Sequence, residues 1–252
     1  MSELLYIYGI IRLSPALELP LIKEGELAAI FEKVPAVEFA EEALAANIKN
    51  MDWIGQKAVH HQRVLEDAAL HTTLVPLKFG SIFKTEETVK SMLKEKQGAF
   101  LKLLDQLNGR EEWGLKLNYD SKKLVQWVDE HSDDIAPFHQ EMSQSSAGTA
   151  FLLRKKKEEA IKKVVKQELN DCRKRVYNGI TAAQAELKKN PELDGKLLGA
   201  GLANILNLAI LATKDQREQI AAFVEGISAE MRQKGMQLEL TGPWPPYNFV
   251  EL

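Results

Sequence analysis

From Thr149 to about Asn190 the chain holds no proline and a single glycine, Gly179. Along it an apolar residue recurs at Ile161, Val165, Leu169, Cys172, Val176, Ile180, Ala183 and Leu187. Steps of three and four keep that stripe on one face of a helix. At about 1.5 Å per residue such a helix is roughly 60 Å long, longer than a small domain is wide. It must bridge two domains or offer its stripe to a partner helix. Residues 215–234 supply a complementary stripe in Ile220, Phe223, Val224, Ile227 and Met231, and are the expected partner. The other faces are basic: residues 150–190 carry twelve Lys/Arg against five Asp/Glu in a chain of net charge −3. The helix divides the sequence into a domain at 1–120, a helix and polar connector at 121–148, and an α+β domain at 149–252.

A chain of 252 residues, 45% hydrophobic and 27% charged, has the composition of a soluble globular protein and the length of two domains. Cys172 is the only cysteine and lies on the apolar stripe, so no disulfide framework exists and a reducing compartment is expected. The opening MSELLYIYGI lacks the basic region of a signal peptide. Leu197–Ala212 is 16 residues with Asn204 and Asn207 inside, too short to span a bilayer. The expectation is a cytosolic protein without a membrane span. The mild acidic balance, and basic residues with no interleaved aromatics, argue against nucleic acid as a partner.

Taken in order, Leu4–Tyr8 reads as a buried strand ending at Gly9, and Pro15 and Pro20 mark a loop. Residues 26–34 read as a second strand, and Glu41–Leu70 as a helix. Leu74–Phe79 reads as a strand that Pro76 confines to an edge. Thr85 caps a helix running to Leu107, and Asn108-Gly109 ends it. Trp113–Tyr119 is a further strand, 121–131 a short helix and 132–148 a polar loop. Asn190-Pro191 closes the long helix. Leu197–Ala212 is expected as a strand entered through Gly199 and Gly201. Thr213 or Asp215 then caps a helix that ends at Gly235, and Met236–Leu240 is the last strand. This order predicts an α+β sandwich, with helices on one face of the N-terminal sheet and a rearranged ferredoxin-like architecture.

Chemistry is sparse. His60 and His71 are about 16 Å apart along a helix axis, and His60 and His61 diverge by about 100°, so none of these pairs shares a metal ion. Gly199 and Gly201 open like a dinucleotide loop but lack its third glycine and its acidic residue. No phosphate loop, nucleophile elbow or zinc-protease motif occurs. No catalytic residue, metal or cofactor is assigned. Three candidate contact regions remain. Arg154, Lys155 and Lys156 could grip phosphate or an acidic protein surface, or simply be a solvated helix face. The terminal GPWPPYNFV, with Trp244, Tyr247 and Phe249, is either a strap covering the sheet or a stiff docking segment. The strands near Tyr6, Tyr8, Leu77 and Phe79 border an edge weakened by Pro76, where a partner strand could add, or else these residues form the domain's own core.

The stretches LLYIYGI, LVPLKFGSIF, EEWGLKL, GTAFLLRKKKE and GPWPPYNFV, in this order over nearly the whole length, resemble the gas vesicle protein family GvpF/GvpL. The resemblance favours the F type. It implies a modified ferredoxin-like first domain and a minor structural or assembly protein without enzymatic activity. The implied partner is GvpA, the hydrophobic shell subunit, with other gas vesicle accessory proteins. The implied location is the gas vesicle, including its inner gas-facing surface. The alternative from a different class is a small-molecule sensor or enzyme on a ferredoxin-like domain, which would need a pocket with converging polar groups.

Overall fold

The computed structural model describes residues 2–13, 19–198 and 201–251; Pro15 and Gly199, expected in a loop and at a strand entry, lie outside them. The chain forms two units, residues 1–112 with 243–252, and residues 113–242.

The first unit opens with β1 (Glu3–Arg12), β2 (Leu21–Glu24) and β3 (Leu27–Pro35). The helices α1 (Ala36–Phe39), α2 (Glu41–Asn47) and α3 (Met51–Ala69) follow. After them come β4 (Leu74–Pro76), β5 (Ile82–Phe83), α4 (Glu86–Glu95) and α5 (Gln97–Leu107). The sheet order is β2-β3-β1-β4, with β5 also pairing β1. Both faces of β1 are covered. Tyr6, Tyr8 and Ile11 join Leu65 and Ala68 of α3 in one buried cluster. The intervening Leu5, Ile7 and Ile10 are equally buried, and α5 packs on β1 and β4. Helices therefore lie on two faces, not the one expected, because residues 4–11 of β1 and 27–31 of β3 are apolar without alternation. At Gly9 there is little room for a side chain: an added Cβ would stand 3.2 Å from Leu65 Cδ2 of α3 and 3.0 Å from the Val75 carbonyl oxygen.

Two expected helices break. Asn50 accepts hydrogen bonds from the backbone N–H groups of Asp52 and Trp53, starting α3 afresh after α2. Lys96, at φ −101° and ψ 13°, separates α4 from α5. The strand expected at Leu74–Phe79 is shorter, though Leu77 N–H still reaches the Tyr8 carbonyl at 2.8 Å.

The second unit is built on β6 (Arg110–Asp120), whose first residues belong to the first unit. It continues with α6 (Ser121–His131), α7 (Ala136–Ser143) and α8 (Ala147–Thr181). Then come β7 (Glu186–Lys189), α9 (Gly195–Leu198), β8 (Leu202–Thr213), α10 (Lys214–Gln233) and β9 (Met236–Trp244). Its sheet order is β7-β8-β6-β9. Numbered within each unit, both sheets read second-third-first-fourth, the ferredoxin-like order. In the second unit α8 and α10 are the two crossover helices. In the first, residues 13–20 link β1 to β2.

Three expectations are corrected here. The cut placed after residue 120 falls before Trp113, because residues 113–120 pair into the second sheet. The polar loop at 132–148 contains α7, started by Pro137 in its first turn, where a missing N–H costs nothing. The long helix starts at Ala147 and ends at Thr181, not near Asn190. Past Thr181 the bonds tighten, Ala183 N–H to the Ile180 carbonyl and Gln184 N–H to that of Thr181. Gln184 then takes a left-handed φ of 57° and turns the chain into β7, so Leu187 reaches the core from a strand. The Gln184 carbonyl is held at 3.0 Å by the side-chain amide of Gln216.

The expected helix pair is found. Ile161, Cys172, Val176 and Ile180 of α8 share one core with Ile220, Val224, Ile227 and Met231 of α10, while Val165 and Leu169 are half-buried beside it. Burial pushes the Cys172 thiol up, so it stays protonated as a core residue. Among the described residues no helix is long and apolar enough to cross a membrane.

Candidate functional site

The chemistry of the first unit converges where β1, β3 and α3 meet. Ile7 pairs with Phe31 and Gly9 with Ile30, so Tyr8 is the extra residue of a β-bulge. Its hydroxyl donates to Glu32 Oε2 at 2.5 Å. Glu32 lies between Ile30 and Val34 on the strand face that looks toward α3. There it meets His60, whose Nε2 is 2.9 Å from the same carboxylate oxygen. Burial alone would raise the Glu32 pKa, but the bonds from Tyr8 and His60 and the charges of His60 and Lys57 outweigh it and hold the group below its ordinary value.

One residue on, His61 is 4% exposed and bonds with both ring nitrogens: Nδ1 is 2.9 Å from the Tyr6 hydroxyl and Nε2 is 2.6 Å from that of Tyr247. A neutral imidazole offers one donor and one acceptor, which two hydroxyls can match. Burial, with the charge of His60, pushes the His61 pKa down to about 4, against a partial opposing effect of the Leu77 backbone. Burial raises the Tyr6 pKa to about 12, although the Gly80 N–H that bonds its oxygen works the other way. Tyr8 is raised by burial and by Glu32, and Tyr247 by burial and Tyr6. At neutral pH the three hydroxyls are protonated and His61 is uncharged. The cluster is therefore a set of fixed hydrogen bonds that holds elements together.

Beside it opens a cleft of about 360 Å³, walled by Tyr6, Tyr8 and Phe39 and edged by Glu32, Lys57 and His60. Lys57 pairs with Glu38 at 3.0 Å and lies 5.2 Å above the Phe39 ring. Along the helices α1–α3, outside the cleft lining, Val37 and Met51 are 74% and 79% exposed, and Ile48 and Val59 are also exposed.

The sequence-derived candidates separate into three groups. Tyr6 and Tyr8 are buried on β1, an interior strand, while β4, which carries Pro76, ends the sheet order. On one side β1 pairs with β3; the other is filled by β4, Leu77 N–H, the Ser81 carbonyl and β5. Leu77 is half-buried, and Phe79 packs its ring edge-on to Tyr6 and His61. The tail is a strap within the first unit: Tyr247 stacks on His61 and Phe249 is buried. Asn248 gives its backbone N–H and side-chain amide to the two oxygens of the buried Glu112, at 3.0 and 2.6 Å. Trp244 remains 43% exposed. Arg154, Lys155 and Lys156 are exposed on α8, with Lys155 5.1 Å from the Phe151 ring.

Sequence reasoning missed Glu32, His61 and Glu112 as anchors. Glu32 carried a readable signal, since it interrupts the buried series Ala28, Ile30, Val34 on one strand face. His61 and Glu112 carried none, because their partners lie 186 and 136 residues away.

The sequence matches, over residues 4–251, the family described as gas vesicle synthesis protein GvpL/GvpF. It is 27% identical to gas vesicle protein L of a Streptomyces species, over 91% of this chain and 82% of that protein. It is 23% identical to gas vesicle protein F of the same source, over 98% and 99%. The fold matches the crystal structure of gas vesicle protein GvpF from Microcystis aeruginosa with TM-score 0.63 at 18% identity, covering 99% of each chain. It matches that of GvpF from Anabaena with TM-score 0.67 at 18% identity, covering 100% of this chain and 99% of the other.

Proposed function

This chain belongs to the GvpL/GvpF family of gas vesicle proteins, and from that premise we propose that it assists assembly of the vesicle wall by holding the hydrophobic shell subunit GvpA. The helices α1–α3 of the first unit carry the surface that does so. The observation that carries this reading is that the helices α1–α3 expose four large apolar residues, Val37, Ile48, Met51 and Val59, and carry charge at Glu38, Lys57 and His60. A binder of a very apolar subunit needs such a patch rimmed by charge, since a continuous greasy surface would precipitate by itself. Tyr6, Tyr8 and Phe79 support that surface from beneath, and Tyr247 and Phe249 brace it from the tail. The chain then acts where new wall is laid down, beside accessory proteins of the same process, and so serves buoyancy.

The test uses the full chain. Val37→Glu with Met51→Glu places two carboxylates on the patch at positions too exposed to unfold it. Co-purification with the shell subunit should fall at least about tenfold, the equivalent of about 1.4 kcal/mol, with an unchanged melting temperature. Undiminished co-purification would overturn the assignment of the surface.

A further inference from the structure

The second unit has a cleft of its own, about 360 Å³, between the C-terminal half of α8 and the β7–β8 edge of its sheet. Arg173, Lys174 and Tyr177 enter it from α8, at positions that share one side of a helix. Lys189 enters from the end of β7, with its ammonium 4.6 Å from the centre of the Tyr177 ring. Among the described residues none of these three cations pairs with a carboxylate: Arg173 bonds only to the Asn170 amide oxygen, at 2.9 Å, and Lys189 only caps the ring. Other cations of the same unit do have carboxylate partners: Arg175 pairs with Glu230, Lys234 with Glu168 and Lys157 with Asp129. The cleft also presents the side-chain amides of Asn178 and Asn190, and its one acidic lining residue is Glu192.

We propose that this cleft binds an acidic, extended segment of a partner protein. Three unmatched cations around one opening attract carboxylates, and the asparagine amides can donate to and accept from a peptide backbone. The size suits a few residues of single chain. Nucleic acid is the weaker fit, because the one aromatic ring present is already covered by Lys189 and offers no free face for a base. The proposal is independent of the shell-binding surface, which lies on other residues of the other unit.

Fluorescence anisotropy of a labelled hexaglutamate peptide with the full-length protein at low ionic strength tests it. Saturable binding is expected. Lys174→Glu with Lys189→Glu should weaken it by about tenfold or more, with the melting temperature retained because both side chains are exposed. Lys155→Glu with Lys156→Glu, an equal change of charge on the same helix, should alter it less than about twofold. Equal weakening by the two pairs would mean attraction to the helix as a whole, and would overturn the cleft. Absence of saturation would do the same. So would a thymidine oligonucleotide that binds more tightly than the peptide and is lost in the Lys174/Lys189 variant.

Discussion

His61 is buried among hydroxyls and rings, where its neutral form alone is comfortable. Its pKa falls from an ordinary 6.5 to about 4 on folding. Between those pH values the unfolded chain binds more protons than the folded one. Stability is therefore fully present above about pH 6.5 and is lost as pH falls through about 4, by roughly 3 kcal/mol at most. Urea denaturation at pH 7 and pH 4.5 should show this loss, and His61→Gln should flatten the difference whatever it does to absolute stability. A second residue decides between two opposed effects. Gly179→Ala gains about 1 kcal/mol of helix propensity. Yet the new Cβ would stand 2.0 Å from Phe223 Cζ and 2.4 Å from Cε2, so the ring must move. Overpacking of that kind costs about 1–3 kcal/mol and should win. A lower melting temperature for Gly179→Ala, restored in part by adding Phe223→Leu, is the expected result. Gly179 was plain in the sequence, but the reason for it sits on another helix.

Local signals at the level of the element were legible where the physics is local. Thr85 caps α4, and Thr213 caps α10 through a reciprocal capping box with Gln216, both as the sequence implies. The stripe of α8 and its α10 partner were also readable. The end of α8 was not: Gln184 gives no stop signal, and its left-handed turn is held by Gln216 from 32 residues away. The pairing makes a graded prediction. Val176 is fully buried in the shared core while Leu169 lies half-exposed at its margin. Val176→Asp should cost several kcal/mol, as expected for an unpaired buried charge, and Leu169→Asp clearly less. Chemical denaturation of the two variants checks the order; equal costs would mean that the two helices are not packed as described. The candidate contact residues were legible as types but not as surfaces. Aromatic strands and a proline-stiffened tail look alike in sequence whether they face a partner or each other.

For the whole molecule, the feature hardest to foresee was the return of residues 243–252 to the first unit. Removing them deletes Tyr247 from His61, Asn248 from Glu112 and Phe249 from the core. A chain ending at Gly242 should show faster amide exchange in β1 and β3, with β8 still protected. Uniform protection in both would show that the strap contributes little. The same arrangement has a consequence for how the protein is made. A ribosome delivers His61 186 residues before Tyr247, so the first unit waits for its strap before those hydrogen bonds can close. The second unit, by contrast, has all its strands once β9 has been translated. A product terminated between β9 and Tyr247 would thus carry a complete second sheet and an incomplete first unit, so synthesis past the strap becomes a condition for the first unit's completion.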